Sequence, residues 1–176
     1  MAVLRDKDIA ELCKLNPPLV ENYLDWEWQL QPAGFDLTVE KIFTIDGIGT
    51  INSVRLKNIA PDKNEVTCNE SGFYQLARGV YTVQFNELLC IPKNVVGLGQ
   101  SRSTLLRYGG VMLTGIWDPG FHGRSQCGLI VENEKGINIS KNAALLQVAF
   151  FELTGESDGF QYNELYRDTN NQFKEL

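Results

Sequence analysis

Three short segments of the chain combine turn-forming backbone with side chains able to handle phosphate, metal or water. The first, Gln31-Pro32-Ala33-Gly34-Phe35-Asp36-Leu37, sets a carboxylate inside an alternating apolar strand. Strand geometry turns Asp36 away from Phe35 and Leu37, which leaves open both a working carboxylate and a solvated outer face. The second, Gln100-Ser101-Arg102-Ser103-Thr104-Leu105-Leu106-Arg107-Tyr108-Gly109, gathers hydroxyls and exposed N–H groups at a helix start. Such a place attracts anions, and two arginines stand near; capping of the helix by Ser103 beside solvated arginines explains the same pattern. In the third, Leu113 to Gly123, a hydrophobic run ends abruptly in Asp118, followed by a tight Pro119-Gly120 turn and the aromatic Phe121. Gly115 would let a ligand approach the backbone closely, while Asp118 is either a reactive carboxylate or an acceptor for the turn. His122, the single histidine, has no evident partner and reads as a surface turn residue.

The elements that must position these residues follow from periodicity. Near the start, Asp8 with Glu11 three residues later has the form of a capping box, and Ile9, Leu12 and Cys13 recur at helical spacing, so a short helix is expected over about 6–14. Pro17-Pro18 must stop it. Beyond that point the period changes to about two. Phe35, Leu37 and Val39 alternate with polar or small neighbours, as do Tyr81, Val83 and Phe85, and Cys127–Val131 and Ala144–Phe151 are apolar runs. Turn clusters at Asp46-Gly47, Pro61-Asp62, Glu70-Ser71-Gly72, Pro92-Lys93-Asn94, Asp118-Pro119-Gly120 and Glu134-Lys135-Gly136 separate these strands at intervals suited to a sandwich or closed barrel. One short internal helix fits Thr104–Tyr108, stopped by Gly109-Gly110. After Gly155 the chain turns polar. A β domain over 1–155 and a C-terminal arm over 156–176, mobile or packed on a neighbouring subunit, are the expected parts.

A length of 176 residues suits one core, and 43% hydrophobic with 22% charged residues is the composition of a globular chain. The longest uncharged stretches, Tyr108–Trp117 and Asn142–Phe151, are half of what a membrane-crossing helix needs, and the charged start lacks an apolar leader, so no membrane association and a cytoplasmic address are expected. The net charge of −6 repels polyanions and argues against nucleic acid, while a small phosphorylated ligand stays possible where local arginines or a divalent metal overrule the field. Cys13, Cys68, Cys90 and Cys127 are far apart and read as buried free thiols. One histidine and no paired cysteines exclude the His/Cys/Cys zinc site of many nucleobase deaminases.

In their order along the chain these segments resemble the superfamily of dUTP diphosphatases (dUTPases) and dCTP deaminases, and the resemblance covers most of the chain. Leu4-Arg5-Asp6-Lys7-Asp8-Ile9, Gln31–Leu37, and Ile91-Pro92-Lys93-Asn94-Val95-Val96-Gly97 leading into Ser101-Arg102-Ser103-Thr104-Leu105 look like the deaminase branch. Thr114-Gly115-Ile116-Trp117-Asp118 with Phe121-His122-Gly123 looks like the dUTPase third motif, and Lys141–Gln147 is similar to the fourth. The resemblance implies a distorted jelly-roll β-barrel assembled as a homotrimer, with active sites at subunit interfaces. It implies that Asp118 activates water for in-line attack on the α-phosphorus of dUTP or a related pyrimidine deoxynucleotide, releasing pyrophosphate. Asp36 would hold Mg²⁺ through water. Arg102, Ser103 and Gln147 would contact phosphate with Arg107 nearby, Thr114, Gly115 and Ile116 would meet the base, and the Phe121 ring would pack on the deoxyribose and leave no room for a 2′-hydroxyl.

The branch turns on one residue. Zinc-free deaminases of this superfamily carry a glutamate on the strand after the Gly-Phe-x-Gly turn, and the two ways of counting place it at Gly128 or Ile130, neither of which moves a proton. The strand and linker lengths match the dUTPase branch. Glu132 and Gln126 share strand parity with both positions, which keeps dCTP deamination as an alternative through a shifted register. In the arm, Tyr162-Asn163-Glu164-Leu165-Tyr166-Arg167-Asp168 has Glu164 and Asp168 where the related pattern has glycines, so a non-catalytic trimeric nucleotide-binding protein is a second alternative.

Overall fold

The computed structural model describes residues 2–54 and 57–157. The expected arm therefore lies, from residue 158 onward and including its Tyr162–Asp168 motif, outside the described residues. The rest is mainly β, as the alternation predicts.

In chain order the elements are β1 (Ala2–Val3), α1 (Asp6–Leu12), β2 (Val20–Glu21), α2 (Trp26–Gln29), β3 (Leu30–Gln31), β4 (Gly34–Asp46), β5 (Asp62–Glu65), β6 (Phe73–Leu76), β7 (Gly79–Cys90) and β8 (Val95–Ser101). They continue as α3 (Ser103–Arg107), β9 (Gly110–Leu113), β10 (Ile116–Trp117), β11 (His122–Val131), β12 (Ile137–Ser140) and β13 (Ala144–Glu152). One curled sheet of 11 strands runs β10-β8-β13-β4-β7-β11-β9, with β1 on β13, β2 on β7, and β3 and β5 on β4, while β12 and β6 form a separate pair. Every pairing is antiparallel.

The curl has a local cause. β4 pairs β13 through residues 35–38 and then β7 from Val39 onward, with register shifts between Val39 and Lys41 and, on β13, between Ala144 and Leu146. Bulges bend a strand and raise its twist, so one long strand serves two walls of a distorted barrel. Arg124, at a third shift on β11, donates to the Phe85 and Asn86 carbonyls and to Glu40. Inside, Phe35, Leu37, Val39, Ile42, Val83, Phe85, Leu129, Val131, Leu146, Val148 and Phe150 are fully buried, contributed by alternate positions of β4, β7, β11 and β13.

Two local readings are corrected and one helix is added. The N-terminal helix is Asp6–Leu12, and its capping box is formed by Arg5 and Asp8 rather than Asp8 and Glu11: Asp8 accepts from the Arg5 backbone N–H at 3.1 Å, because the helix opens two residues before Asp8. α3 starts at Ser103, so Arg102 is the capping position, without a side-chain cap, and Ser103 lies inside the helix. The single-turn α2 escapes the periodicity argument because it is too short to show a period; its signal was Asp25, whose side chain accepts from Trp28 N–H at 3.1 Å. The four cysteines are free, with Cys127 buried and the others partly so. Among the described residues no helix is long and apolar enough to cross a membrane.

Candidate functional site

Asp36 sits in β4 opposite Gln147 of β13, and β13 in turn sets Gln147 opposite Gln100 of β8. The solvated alternative for Asp36 does not hold, since its exposure is 0%. The polar parity of β4 faces a neighbour here: Arg102 Nη1 lies against Asp36 Oδ2 as an ion pair. Beyond that contact neither carboxylate oxygen, nor Arg102 Nη1, has a hydrogen-bond partner among the described residues. A buried carboxylate held by one partly exposed guanidinium is an unusual expense in a core, and points to a role beyond packing.

Two contacts bring Arg102 there. The Arg102 N–H donates to the Leu145 carbonyl at 2.9 Å, tying the start of α3 to β13, and the Met112 N–H donates to Ser101 Oγ at 2.8 Å, tying β8 to β9. Beside Arg102 opens a cleft of about 430 Å³ lined by Gln100, Ser101, Arg102, Ser103, Gln147 and Ala149, within the range of small-molecule sites. Gly34 permits this close layering: a Cβ there would stand 2.5 Å from the Val148 carbonyl and 3.0 Å from Gln147 Nε2. Arg107 does not line the cleft; its guanidinium turns back on the helix to Thr104 Oγ1 at 3.4 Å.

Asp118 is positioned by the residue before it. Trp117 packs with its Cβ over Gly97 and its indole over Gly99, and donates from Nε1 to Ser125 Oγ at 2.6 Å, with only 5% of the residue exposed. A turn then follows, with Phe121 N–H donating to the Asp118 carbonyl at 3.0 Å and Gly120 at φ +85°. That backbone region favours glycine, in the arrangement of a type II turn with Pro119 at its second position. Asp118 is half-buried, and Phe121 packs partly against the core. Before the turn, Thr114 Oγ1 donates to the Gly99 carbonyl, Ile116 is 61% exposed, and Gly115 has open space where a Cβ would be.

The two acidic residues do not meet within one chain. Trp117 pairs with Gly97, so Asp118 falls about four residues along β8 from Gln100, roughly 13 Å, and Asp36 lies two further strands across at about 4.8 Å each. On β11, Gly128 and Ile130 lie opposite Leu113 and Val111 of β9. Glu132, past the end of β11, pairs with Arg78 at 2.7 Å, and Gln126 bonds Gln84 and Lys63. His122 is exposed, 3.9 Å from Glu21.

Beneath Asp36 lies a set of residues the motif reading passed over. Gln29, Thr38 and Glu87 are buried polar residues. Gln29 Nε2 donates to the Asp36 carbonyl at 2.8 Å and to Glu87 Oε1 at 2.7 Å, while its Oε1 accepts from the Leu24 and Asp25 N–H groups. Glu87 accepts from the Thr38 N–H at 2.9 Å and the Thr38 hydroxyl at 2.5 Å. Burial pushes the Glu87 carboxyl upward, opposed by these donors. The available signal was a lone carboxylate inside the alternating run of β7, the same signal that marked Asp36.

A match to the dCTP deaminase-like family spans residues 3–153. A probable deoxyuridine 5′-triphosphate nucleotidohydrolase of Methanosarcina mazei is 37% identical over 170 residues, 97% of this chain and 99% of that protein. The deoxyuridine 5′-triphosphate nucleotidohydrolase of Methanocaldococcus jannaschii is 39% identical over 127 residues, 72% of this chain and 80% of that protein. Among solved structures, the 2′-deoxycytidine 5′-triphosphate deaminase of Agrobacterium tumefaciens has a TM-score of 0.62 at 20% identity, over 84% of this chain. The chain spans about half, 46%, of that deaminase's length, and the likeness is one of fold. With a family match over most of its length and relatives alike from end to end, the chain belongs to the dCTP deaminase-like family.

Proposed function

We propose that the chain hydrolyses dUTP to dUMP and pyrophosphate, as a homotrimer using Mg²⁺. The observation that carries this reading is the cleft lined by Arg102, Ser103 and Gln147, in which Arg102 is paired to the buried carboxylate of Asp36. In it, Arg102 and Ser103 bind the phosphate chain, with Gln147 as a further polar contact. Arg107 joins them only by leaving Thr104.

Magnesium fits these residues on a structural ground: Oδ1 of Asp36 has no hydrogen-bond partner among the described residues, Oδ2 has only the Arg102 guanidinium, and a hard cation prefers oxygen. No group of three or more His, Cys, Asp or Glu side chains suited to a metal occurs among the described residues, so phosphate oxygens and water complete the set. A magnesium ion held there would withdraw charge from the phosphoryl oxygens. With charge withdrawn, a carboxylate is a sufficient base: Asp118 accepts a proton from the attacking water, the new oxygen–phosphorus bond forms at the α-phosphorus, and pyrophosphate departs.

Because Asp118 and Asp36 are separated along β8, one complete centre draws Asp118 from a second copy. An exposed apolar row supports self-association: Val80 is 56% exposed, Leu113 53% and Ile116 61%, with Val111 and Leu98 beside them. The open backbone at Gly115, flanked by Thr114 and Ile116, receives the uracil edge, and Phe121 meets the deoxyribose. Deamination is disfavoured by Gly128 and Ile130, which carry no carboxylate, and by the pairing of Glu132 with Arg78.

The test is a product assay. Purified protein is incubated with dUTP or dCTP, with and without Mg²⁺, and the products are separated. Magnesium-dependent dUMP and pyrophosphate from dUTP is expected. Ammonia from dCTP would replace the proposal with deamination, and binding without turnover would replace it with a non-catalytic nucleotide binder.

A further inference from the structure

β4 has a gap in its ladder directly behind Asp36. On the side away from β13, β3 pairs β4 at Gly34 and Phe35, and β7 takes over only at Val39. The backbone of residues 36–38 has no strand there, yet buried backbone groups require partners. Three side chains supply them, and the outermost, Asn86, donates from Nδ2 to the Thr38 carbonyl at 3.5 Å and to the Thr38 hydroxyl oxygen at 3.0 Å. Gln29 donates to the Asp36 carbonyl, Glu87 accepts from the Thr38 N–H, and Gln29 and Glu87 are joined at 2.7 Å. Every atom of this patch is used: Gln29 Oε1 takes two N–H groups ahead of α2, and Glu87 Oε1 also takes the Thr38 hydroxyl. None of the ion pairs among the described residues involves Glu87. A carboxyl is therefore kept in the core without a cation, where its partners among the described residues are Thr38, two beyond Asp36, and the side chain that holds the Asp36 carbonyl.

We infer that Glu87 and Gln29 are positioning residues that stand in for the missing strand and set the place of the Asp36 carboxylate, an assignment that rests on the nucleotide hydrolase reading above. The chemistry is one of complementarity. Glu87 faces obligate donors at both oxygens, Gln29 Nε2 at one and the Thr38 N–H at the other. An amide at position 87 must turn its own NH₂ toward one of them, whichever way it is flipped. The displaced donor then shifts β4 at Thr38 or at Asp36, while the bulk of the residue is unchanged. Supporting partners of this kind are worth about 10–100-fold in metal affinity or activity.

The experiment measures binding of the non-hydrolysable analogue α,β-imido-dUTP by calorimetry, with and without Mg²⁺, in the wild type, Glu87→Gln, Gln29→Met, Asp36→Asn, and Glu87→Gln combined with Asp36→Asn. Glu87→Gln and Gln29→Met should each weaken binding about 10–100-fold in Mg²⁺ and much less without it. In the Asp36→Asn background Glu87→Gln should add less than about twofold, because an effect that acts through Asp36 is not counted twice. Equal affinity in the wild type and Glu87→Gln, or losses that multiply regardless of Asp36, would overturn the assignment. Hydrogen exchange of the unmutated protein covers the case in which the variants do not fold: the Thr38 amide should be strongly protected, and rapid exchange there overturns the role of Glu87. A wild type that binds no analogue at all overturns the hydrolase reading itself, a result distinct from a wild type that binds and variants that match it.

Discussion

The placement of Asp118 depends on a missing side chain at Gly99, and Gly99→Ala tests it. A Cβ at Gly99 would stand 2.8 Å from Trp117 Cζ3 and 3.0 Å from Thr114 Cγ2. Ordinary contact begins near 3.4 Å, so the indole must retreat by about 0.6 Å or more. It cannot do so freely, because Nε1 is tethered to Ser125 Oγ at 2.6 Å and the ring is almost wholly enclosed. Overpacking of this kind costs about 1–3 kcal/mol. For a domain of this size that is a fall in Tm of about 2–12 °C. The residue displaced next along the chain is Asp118, and a misplacement near 1 Å costs up to about 100-fold in turnover. The matched control is Gly115→Ala, where the added Cβ meets nothing within 4 Å; its stability should stay within about 0.5 kcal/mol of wild type. Its KM for dUTP should rise, because the methyl occupies the approach to the base. Thermal melts and steady-state kinetics of both variants decide the matter. A Gly99→Ala protein that melts and turns over like wild type would refute the claim that Trp117 holds Asp118, and a Gly115→Ala protein equally destabilised would refute the packing account.

Asp118→Asn should retain Tm and analogue binding while kcat falls about 10²–10⁴-fold, the range for loss of a general base; unchanged turnover removes Asp118 from the mechanism. Gly34→Ala places a Cβ 2.5 Å from the Val148 carbonyl, a backbone atom that cannot swing aside, and should lower stability by about 1–3 kcal/mol in urea melts, with no change being the contrary result. The Arg5 guanidinium holds the Asp8 carboxyl down at about 2, against an ordinary 3.8. The stabilisation from this depressed group is complete above 3.8 and fades as pH falls toward 2. Being solvent-exposed it is small. The Tm difference between wild type and Asp8→Asn should be constant from pH 5 to 7 and vanish near pH 2, and a difference that persists in acid contradicts it.

Much of the architecture was legible because it is encoded locally. Alternation in Phe35–Val39 and Tyr81–Phe85 marked the core faces of β4 and β7, and Gly109 marked the end of α3 at φ +82°. The site was legible in part for the same reason: Asp36 interrupts an apolar strand, and Asp118 precedes a Pro-Gly turn. The capping box was misassigned because Asp8 offers two partners at the same spacing, and only the contact with Arg5 distinguishes them. Glu87 and Gln29 stayed hidden for different reasons: Glu87 shares strand parity with the core residues Val83, Phe85 and Leu89 but no local pattern names its partners, and Gln29 lies in the single turn α2; their pairing follows from a ladder gap between strands far apart in sequence.

The sequence by itself determined which stretches alternate, where the chain turns, and which side chains are chemically able to bind phosphate or take a proton, since each of these depends on near neighbours along the backbone. Tertiary structure alone decided that Asp36 is buried against Arg102, that Gln147 and Gln100 share its row, and that Asp118 stands apart from them on the same chain. Register across a sheet sums contacts among β4, β8 and β13, whose paired residues lie more than a hundred positions apart between β4 and β13, and no local pattern carries that sum.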